Sequence, residues 1–365
     1  MSSSIPASLS AMSTAEPTAG VTSGRSGRQS LGRRRWRRFR RNRRGYYSLI
    51  LFSIFFVLSL FAEILSNDVP FLVLYKGKPY FPLLVSYPET IFGGDFDTET
   101  DYLDPYFLQE MEATGGTVFF PPNRHSYNTI NLDIDGPVPS PPTTVNYLGT
   151  DDRGRDVLAR LLYGFRLSIL FGFTLTLVGT VAGIVAGAIQ GFFGGRTDLF
   201  FQRFIEIWGA MPELYLLIIF ASIFQPSVLL LLILLSLFSW MGLSDYVRAE
   251  FLKGRSMEYV KAARALGVGN FMIMYRHLLP NGMTPVITFL PFRVSASILA
   301  LTSLDFLGLG VPPSTPSLGE LLAQGKANIE AWWLSLSAFS VLILTLVLLI
   351  FIGEALRETF DPRKT

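Results

Sequence analysis

The sequence contains no cysteine and only two histidines, His125 and His277, which lie far apart along the chain. Disulfide bonds and thiolate metal sites are therefore excluded, and a shared histidine metal site is not expected. The chain also lacks a Gly-x-x-x-x-Gly-Lys-[Ser/Thr] phosphate loop, a Gly-x-Ser-x-Gly nucleophile motif and a His-Glu-x-x-His motif. We therefore predict no catalytic residue, no metal and no cofactor, and any ATP hydrolysis must come from a separate subunit.

Charged residues are also scarce, at 16%, while apolar residues make up 50% of the 365-residue chain. Several apolar runs of about 20 residues are each long enough to cross the hydrocarbon core of a bilayer. The sequence therefore predicts an all-α polytopic membrane protein with six transmembrane helices. The expected spans are 46–66, 167–193, 204–224, 228–243, 284–304 and 333–352.

Residues 1–45 are predicted to form a disordered, basic cytoplasmic tail. Residues 1–30 are rich in Ser, Thr, Ala and Gly, and a dense arginine run follows over 33–44. An arginine run of this kind also suits nucleic acid, but it abuts the first span, so the positive-inside rule explains it as an anchor near anionic lipid. No nucleic-acid partner is expected. The first span is read as uncleaved, because no small-x-small cleavage site follows it.

Residues 67–163 form a long polar region in which acidic residues far outnumber basic ones. This balance places the region on the periplasmic side, and its length predicts ordered loops with short elements. The acidic run 95–104 lacks the central Gly and the closing Glu of a calcium loop, so a solvated acidic face is preferred. The helix that follows is predicted to be capped and flanked by Asp151, Asp152, Arg153, Arg155 and Asp156.

Four glycines recur at every fourth residue of the second span. This spacing puts them on one helix face, where a neighbouring backbone can approach closely in lipid. We expect this face to be a packing contact at the core of the bundle. Its members are Gly179, Gly183, Gly187 and Gly191.

Prolines and charges modify the other spans. Residues 194–203 are predicted to form a short cytoplasmic turn, Pro212 to kink the third span, and Pro285 and Pro291 to break the fifth. Arg293 and Asp305 are the deepest charges near the fifth span. They are compatible with a polar path and equally with a helix-end or intersubunit pair.

The segment 250–280 lies on the polar side between the fourth and fifth spans. Its residues predict a short helix over 256–266, a left-handed stop at Gly267, and a second short helix over 270–278 that ends at Pro280. A small apolar face is expected from Ala262, Ala263, Leu266, Leu278 and Leu279. Two short helices held between membrane spans suggest a docking lever for another protein.

The segment resembles the coupling loop of type I ABC importer permeases. The pattern of that loop is Glu-Ala-Ala, three residues, Gly, nine residues and then Ile-x-Leu-Pro. Two positions depart from that pattern as they do in the oligopeptide and dipeptide branch, since Lys261 replaces the Glu and His277 the Ile. The stretches 148–168, FLGLG and GEALRETFDP are similar to the same branch, and the large periplasmic loop is most like that of the Yej-type peptide and microcin C permeases. The matching positions are Ala262, Ala263, Gly267, Leu279 and Pro280.

The resemblance implies a type I permease fold with five helices over 164–357, the coupling loop at 250–280 and a cytoplasmic tail at 358–365. It also implies a second homologous permease subunit, ATP-binding subunits, a periplasmic substrate-binding protein and peptide substrates that include microcin C-like antibiotics. The location would be the bacterial inner membrane, with both termini cytoplasmic. Leu318 stands where many relatives have Trp.

A secondary carrier or channel without an ATPase is the alternative. The coupling-loop spacing and the absence of a membrane-embedded carboxylate relay favour the importer. A membrane enzyme would need a nucleophile or metal constellation that the sequence does not show.

Overall fold

The computed structural model describes residues 31–132, 134 and 136–360, so the predictions for 1–30 and 361–365 lie outside the described residues. In the part described, five helices are long and apolar enough to cross a membrane, and a bent pair supplies a sixth span when it is counted as one. The predicted all-α, six-span membrane fold is therefore confirmed.

The helices are numbered in chain order. They are α1 (Leu31–Arg41), α2 (Arg43–Leu60), α3 (Ala62–Leu65), α4 (Pro105–Ala113), α5 (Val157–Phe193), α6 (Gly195–Gly209), α7 (Glu213–Ile223), α8 (Val228–Ser239), α9 (Met241–Gly254), α10 (Glu258–Ala265), α11 (Asn270–Met272), α12 (Leu279–Phe306), α13 (Leu318–Ala327) and α14 (Trp332–Phe360). A π-helical turn, Ile273–Leu278, joins α11 to α12.

The arginine run is helical and packs on the end of the bundle. Residues 31–41, expected to be disordered, form α1, and Phe39 of this helix is buried. Asn42 caps α2 by accepting a hydrogen bond from the Gly45 N–H at 3.1 Å, and it donates to Glu358 at 2.9 Å. These contacts with α14 hold the segment in place, which composition alone could not indicate. Residues 358–360, predicted as tail, belong to α14.

Residues 61–156 form a loop unit with a small sheet that the sequence did not indicate. Strands β1 (Leu72–Tyr75), β2 (Lys78–Tyr80) and β3 (Thr117–Phe119) pair antiparallel in the order β2–β1–β3. An apolar core lies beneath the sheet, and aromatic pairs such as Phe92 and Phe107, with ring centroids 5.5 Å apart, fill it. The unit is thus ordered and packs around its own core.

The second span starts earlier than the apolar run suggests. Helix α5 begins at Val157 because Asp156 caps it, accepting a hydrogen bond from the Ala159 N–H at 2.8 Å. The predicted capping role of Asp156 is confirmed. The helix is 37 residues long. It contacts most other helices of the bundle, namely α2, α6, α8, α9, α12, α13 and α14.

The turn predicted over 194–203 is wrong. The chain reverses at Gly194 and Gly195, whose φ angles are +63° and +55°, and α6 starts there. A break around Pro212 separates α6 from α7, and the two helices meet at 65°. The bend is therefore larger than the kink that a single proline was expected to cause.

The predicted proline breaks are also wrong. Pro285 and Pro291 lie inside α12, which is part of one helix that extends over Asn270–Phe306. Neighbouring helices stabilise such prolines, because they and nearby hydroxyls satisfy the freed backbone groups. Pro280 does not end a helix either. It lies just after the π-helical turn Ile273–Leu278, and the helix continues through it.

The four glycines of α5 face the chain around and after the break between α8 and α9. A Cβ added at Gly183 would lie 2.9 Å from the carbonyl oxygen of Trp240, and one at Gly191 would lie 2.6 Å from Cβ of Phe251. Gly187 faces Ser244 and Val247 at similarly short range. Helix α9 therefore lies almost against the α5 backbone, and larger side chains have no space.

We predict that Gly183→Leu lowers the free energy of unfolding by about 1–3 kcal/mol or more, because overpacking forces the helices apart. Thermal melting of the purified subunit, followed by size-exclusion chromatography, measures the change. Val185→Leu is the matched control, since Val185 is exposed on the opposite face of the same helix. Equal melting temperatures for Gly183→Leu and Val185→Leu would show that the contact contributes nothing to stability.

Candidate functional site

Helix α9 leads into a segment that lies across the ends of α5 and α9. In α10, Val260 and Ala263 are buried. They join Phe192 of α5 and Phe251 of α9 in one apolar cluster, to which Ile273 also belongs. The segment 255–280 is therefore anchored to the bundle by its own core rather than suspended as a loop.

Gly267 ends α10 with a Schellman motif. Its φ is +80°, and its N–H donates to the carbonyl oxygen of Arg264 at 2.9 Å. The N–H of Val268 donates to the carbonyl oxygen of Ala263 at 3.1 Å, and the Val268 side chain packs on the apolar cluster. Both hydrogen bonds of the motif are thus present, and the predicted left-handed stop is confirmed.

The predicted apolar face splits in two. Ala263 and Leu278 are buried in the bundle, whereas Ala262 and Leu266 are exposed. Ala263 therefore packs inside the bundle and is not available to a partner protein. An Asp at this position would bury an unpaired carboxylate and would test folding rather than docking.

The remaining sequence-predicted residues surround α10 and the start of α12. Three of them are exposed and two are half-buried. Lys261 is held by Glu258, with the Lys261 Nζ to Glu258 Oε1 distance at 2.8 Å. The exposed residues are Lys261, Gly267 and Pro280, and the half-buried ones are His277 and Leu279.

Three exposed apolar side chains project beyond this anchor. Leu266 is 83% exposed, Phe271 77% and Tyr275 63%. The rings of Phe271 and Tyr275 stack with centroids 6.2 Å apart and planes only 2° from parallel. We call these three residues the tip surface. The two aromatic residues were not predicted as site residues, although their spacing of four residues indicates that they share one helix face.

Polar contacts connect this end of the segment to the bundle. Arg255 donates to the carbonyl oxygen of Phe192 at 3.4 Å, and the Arg264 guanidinium lies 5.1 Å from the centroid of the Phe192 ring. Nearby, Arg248 of α9 donates to Asp198 of α6 at 2.7 Å. A displacement of α10 would therefore be passed directly to α5 and α9, and from α9 to α6 through Arg248.

A second charged cluster lies at the opposite end of α5. Arg155 Nη2 lies 2.6 Å from Asp151 Oδ2, and Arg160 pairs with Glu320 of α13. Arg155 also donates to the carbonyl oxygen of Pro313 at 2.9 Å. Burial raises the pKa of Glu320, and the nearby Arg160 and Arg155 act against that rise. Two cations and two carboxylates thus compensate one another while joining the loop unit, α5 and α13.

Arg155 and Asp151 were predicted to flank a helix, and no sequence pattern indicated Glu320. The separation of 160 residues between Arg160 and Glu320 gives no local signal. Within the described residues, no group of three or more His, Cys, Asp or Glu side chains could hold a metal ion.

Arg293 and Asp305 do not pair with each other. Asp305 accepts hydrogen bonds from the Val311 N–H at 2.9 Å and from the Ser317 hydroxyl, so it closes the turn after α12. Arg293 donates to the carbonyl oxygen of Ser239, the last residue of α8, at 2.7 Å. Asp305 therefore has a local structural role, and Arg293 is the deeper charge.

Comparison with protein families matches two segments. Residues 179–365 match the family described as binding-protein-dependent transport system inner membrane component. Residues 30–103 match the N-terminal TM domain of oligopeptide transport permease C. The first match covers the glycine face, the tip surface and Arg293.

Full-length relatives agree with these matches. The chain is 50% identical over 357 residues to the peptidoglycan transport system permease protein YejE of Agrobacterium fabrum, covering 91% of this chain and 93% of the relative. It is 52% identical over 330 residues to the inner membrane ABC transporter permease protein YejE of Escherichia coli, covering 90% and 96%. The oligopeptide transport system permease protein OppC of Escherichia coli is 37% identical over 219 residues, covering 60% and 72%.

The resemblance stated from the coupling-loop spacing is therefore confirmed. The chain belongs to the binding-protein-dependent transport system inner membrane component family, among its ABC peptide-type permeases of the Yej, Opp and Dpp kind.

Proposed function

We propose that the chain is one permease subunit of an ATP-driven importer that carries peptides into the cytoplasm. The single observation that carries this proposal is the tip surface, which is apolar and aromatic yet projects from the end of the bundle on a rigid, core-anchored segment. An exposed apolar cluster of this kind marks a protein interaction site. Because the chain has no phosphate loop, the partner that supports import is a separate ATP-binding subunit.

The segment suits transmission of motion because it is stiff. Its apolar cluster, the Schellman motif at Gly267 and the contacts of Arg255 and Arg264 with Phe192 all resist local bending. A partner that pulls on the tip surface would therefore displace the ends of α5 and α9. The glycine contact between these helices would carry the displacement into the membrane.

The other partners follow from the remaining surfaces. Along α6, all of which the structure describes, no residue is buried, and in α7 only Leu217 is. This open apolar pair suits a second, homologous permease subunit. The loop unit suits a periplasmic substrate-binding protein, because it is ordered, acidic and large. Both termini would then lie in the cytoplasm and the whole subunit in the bacterial inner membrane.

The substrates proposed are peptides. One relative is named for peptidoglycan transport and others for oligopeptide and dipeptide transport. Peptide chemistry is common to these names, and microcin C-like peptide antibiotics share it. A secondary carrier or channel is the alternative function, and it would leave the tip surface without a partner.

We predict that Phe271→Ser and Leu266→Ser each lower the affinity for the ATP-binding subunit about tenfold or more. The reason is that loss of one large apolar side chain from a contact costs about 1.5 kcal/mol or more. Co-purification of the ATPase with the tagged permease measures the effect. Ile329→Ser is the matched control, because Ile329 is equally exposed but lies near α13 at the other end of the bundle. Unchanged co-purification of both tip variants would favour the carrier or channel.

We also predict that Gly267→Val impairs peptide uptake while the subunit still inserts. A β-branched residue at φ +80° strains the backbone by roughly 1 kcal/mol or more and disturbs the Schellman motif. Gly269→Val is the control, since Gly269 has φ −65° and, like Gly267, no described atom within 4 Å of an added Cβ. Uptake that is equally high, or equally low, in the two variants would contradict a specific role for the left-handed turn.

The proposed orientation is tested separately. Alkaline phosphatase fused after Gly116 should be active, because this site would lie in the periplasm, and a fusion after Gly267 should be inactive. Green fluorescent protein serves as the reciprocal control at both sites, because it fluoresces in the cytoplasm but not when it is exported unfolded across the membrane. The opposite pattern would invert the topology and remove the tip surface from any cytoplasmic ATPase.

A further inference from the structure

Two charged side chains lie inside the membrane-spanning part of the bundle without an opposite charge. The Glu213 carboxylate has no ion pair or hydrogen bond with any described residue. Arg293 has one acceptor, the carbonyl oxygen of Ser239, and its Nε is buried without a partner among the described residues. An ionised group at the centre of a bilayer costs about 2.5 kcal/mol or more, so such residues face the bundle interior or a water-filled cavity.

Arg293 marks one layer of the bundle. It lies inside the 37-residue helix Asn270–Phe306, and its guanidinium contacts the end of α8 at Ser239. It also reaches Gly179, where an added Cβ would lie 2.9 Å from Nη2. The layer therefore includes the third quarter of α5 and the break between α8 and α9.

Glu213 lies one helical turn from a buried cluster to which α5, α7 and α8 all contribute. Leu175 of α5, Leu217 of α7 and Leu235 of α8 are members of one buried cluster. Glu213 precedes Leu217 on α7 by one turn, and Ser239 follows Leu235 on α8 by one turn. Because a short connection joins α7 to α8, both turns extend from the cluster away from that connection. The spacing of four residues puts Glu213 on the same face of α7 as the buried Leu217, and Glu213 is itself half-buried.

The helix breaks support a polar layer here. The break between α6 and α7 lies beside the one between α8 and α9, since the rings of Trp208 and Phe238 stack with centroids 5.8 Å apart. Ala210 and Pro212 in the first break are exposed. Irregular backbone at membrane depth is tolerated only where protein buries it or where it lines a water-filled cavity. Nothing in the described chain buries this break.

We propose that Glu213 and Arg293 bind the two charged ends of a peptide in transit. The Glu213 carboxylate would accept hydrogen bonds from the α-ammonium group, and the Arg293 guanidinium would donate to the α-carboxylate. The two groups have opposite charge and do not pair with each other, which matches a zwitterion and leaves the occupied layer neutral. This inference rests on the proposed peptide import and names the chemistry by which the path would hold its substrate.

The first experiment tests whether water and peptide reach the layer. The chain has no cysteine, so Glu213→Cys and Arg293→Cys each place a unique thiol in it. The assembled transporter in membrane vesicles is treated with a charged methanethiosulfonate, and the mass of this chain is followed over time. We expect both thiols to react about tenfold faster than Leu214→Cys, whose side chain is exposed on the outer face of α7, because the thiolate forms only in water. Saturating tri-alanine should slow both reactions.

The second experiment tests the charges. Glu213→Gln is isosteric, Arg293→Gln replaces the guanidinium with a neutral polar group, and each should lower tri-alanine uptake about tenfold through loss of a charged hydrogen bond. The double variant separates two meanings of that loss. If each residue holds one end of the peptide, the effects multiply to about a hundredfold. A double variant no worse than either single variant would show that the residues pair with each other in transport, and it would overturn the proposal.

The outcomes for the layer and for the proposed function differ. Wild-type uptake of tri-alanine together with unreactive thiols at both positions would refute the peptide site and leave the import function standing. Absence of ATP-dependent uptake by the wild-type transporter would refute the import function. In that case, protection of the two thiols by tri-alanine would still support the site, and labelling unaffected by tri-alanine would reject it.

Discussion

The close approach of α9 to the glycine face of α5 is the contact on which the rest of this structure depends. In lipid, apolar side chains gain little from leaving water, so helix association relies on van der Waals packing, for which small residues allow short distances. Trp240, Ser244 and Phe251 follow the α5 backbone at intervals that only glycine permits. This contact fixes α9, which in turn carries α10 to the end of the bundle, so the placement of the tip surface is decided inside the membrane.

The two ends of α5 are held by different physical means. At the loop-unit end, buried guanidinium and carboxylate groups compensate each other, and the pair of Arg160 with Glu320 joins α5 to α13. At the other end the contacts are apolar, with Phe192 inside the cluster that anchors α10. A helix held at both ends moves as one body, and this property suits the transmission of motion proposed above.

Between these ends the bundle is less uniform. The helices α6 and α7 bury almost nothing within the described chain, and their break lies next to the break between α8 and α9. The densely packed half around α5, α9, α12 and α14 thus contrasts with an open half that carries Glu213. The contrast suits a subunit that is complete only beside another subunit, with the path for substrate between them.

Features that depend on a few neighbouring residues could be predicted from the local sequence. Apolar run length predicted the spans, Asp156 predicted a helix cap, and Gly267 predicted a left-handed stop, because each follows from local hydrogen bonding or from the cost of exposing backbone to lipid. Only the tertiary structure decided which prolines interrupt a helix, which of Ala262 and Ala263 faces inward, and which carboxylate meets Arg160. These outcomes depend on the helices that lie alongside. Pro212 lies at a helix break, whereas Pro291 is accommodated inside α12, where neighbouring helices bury it.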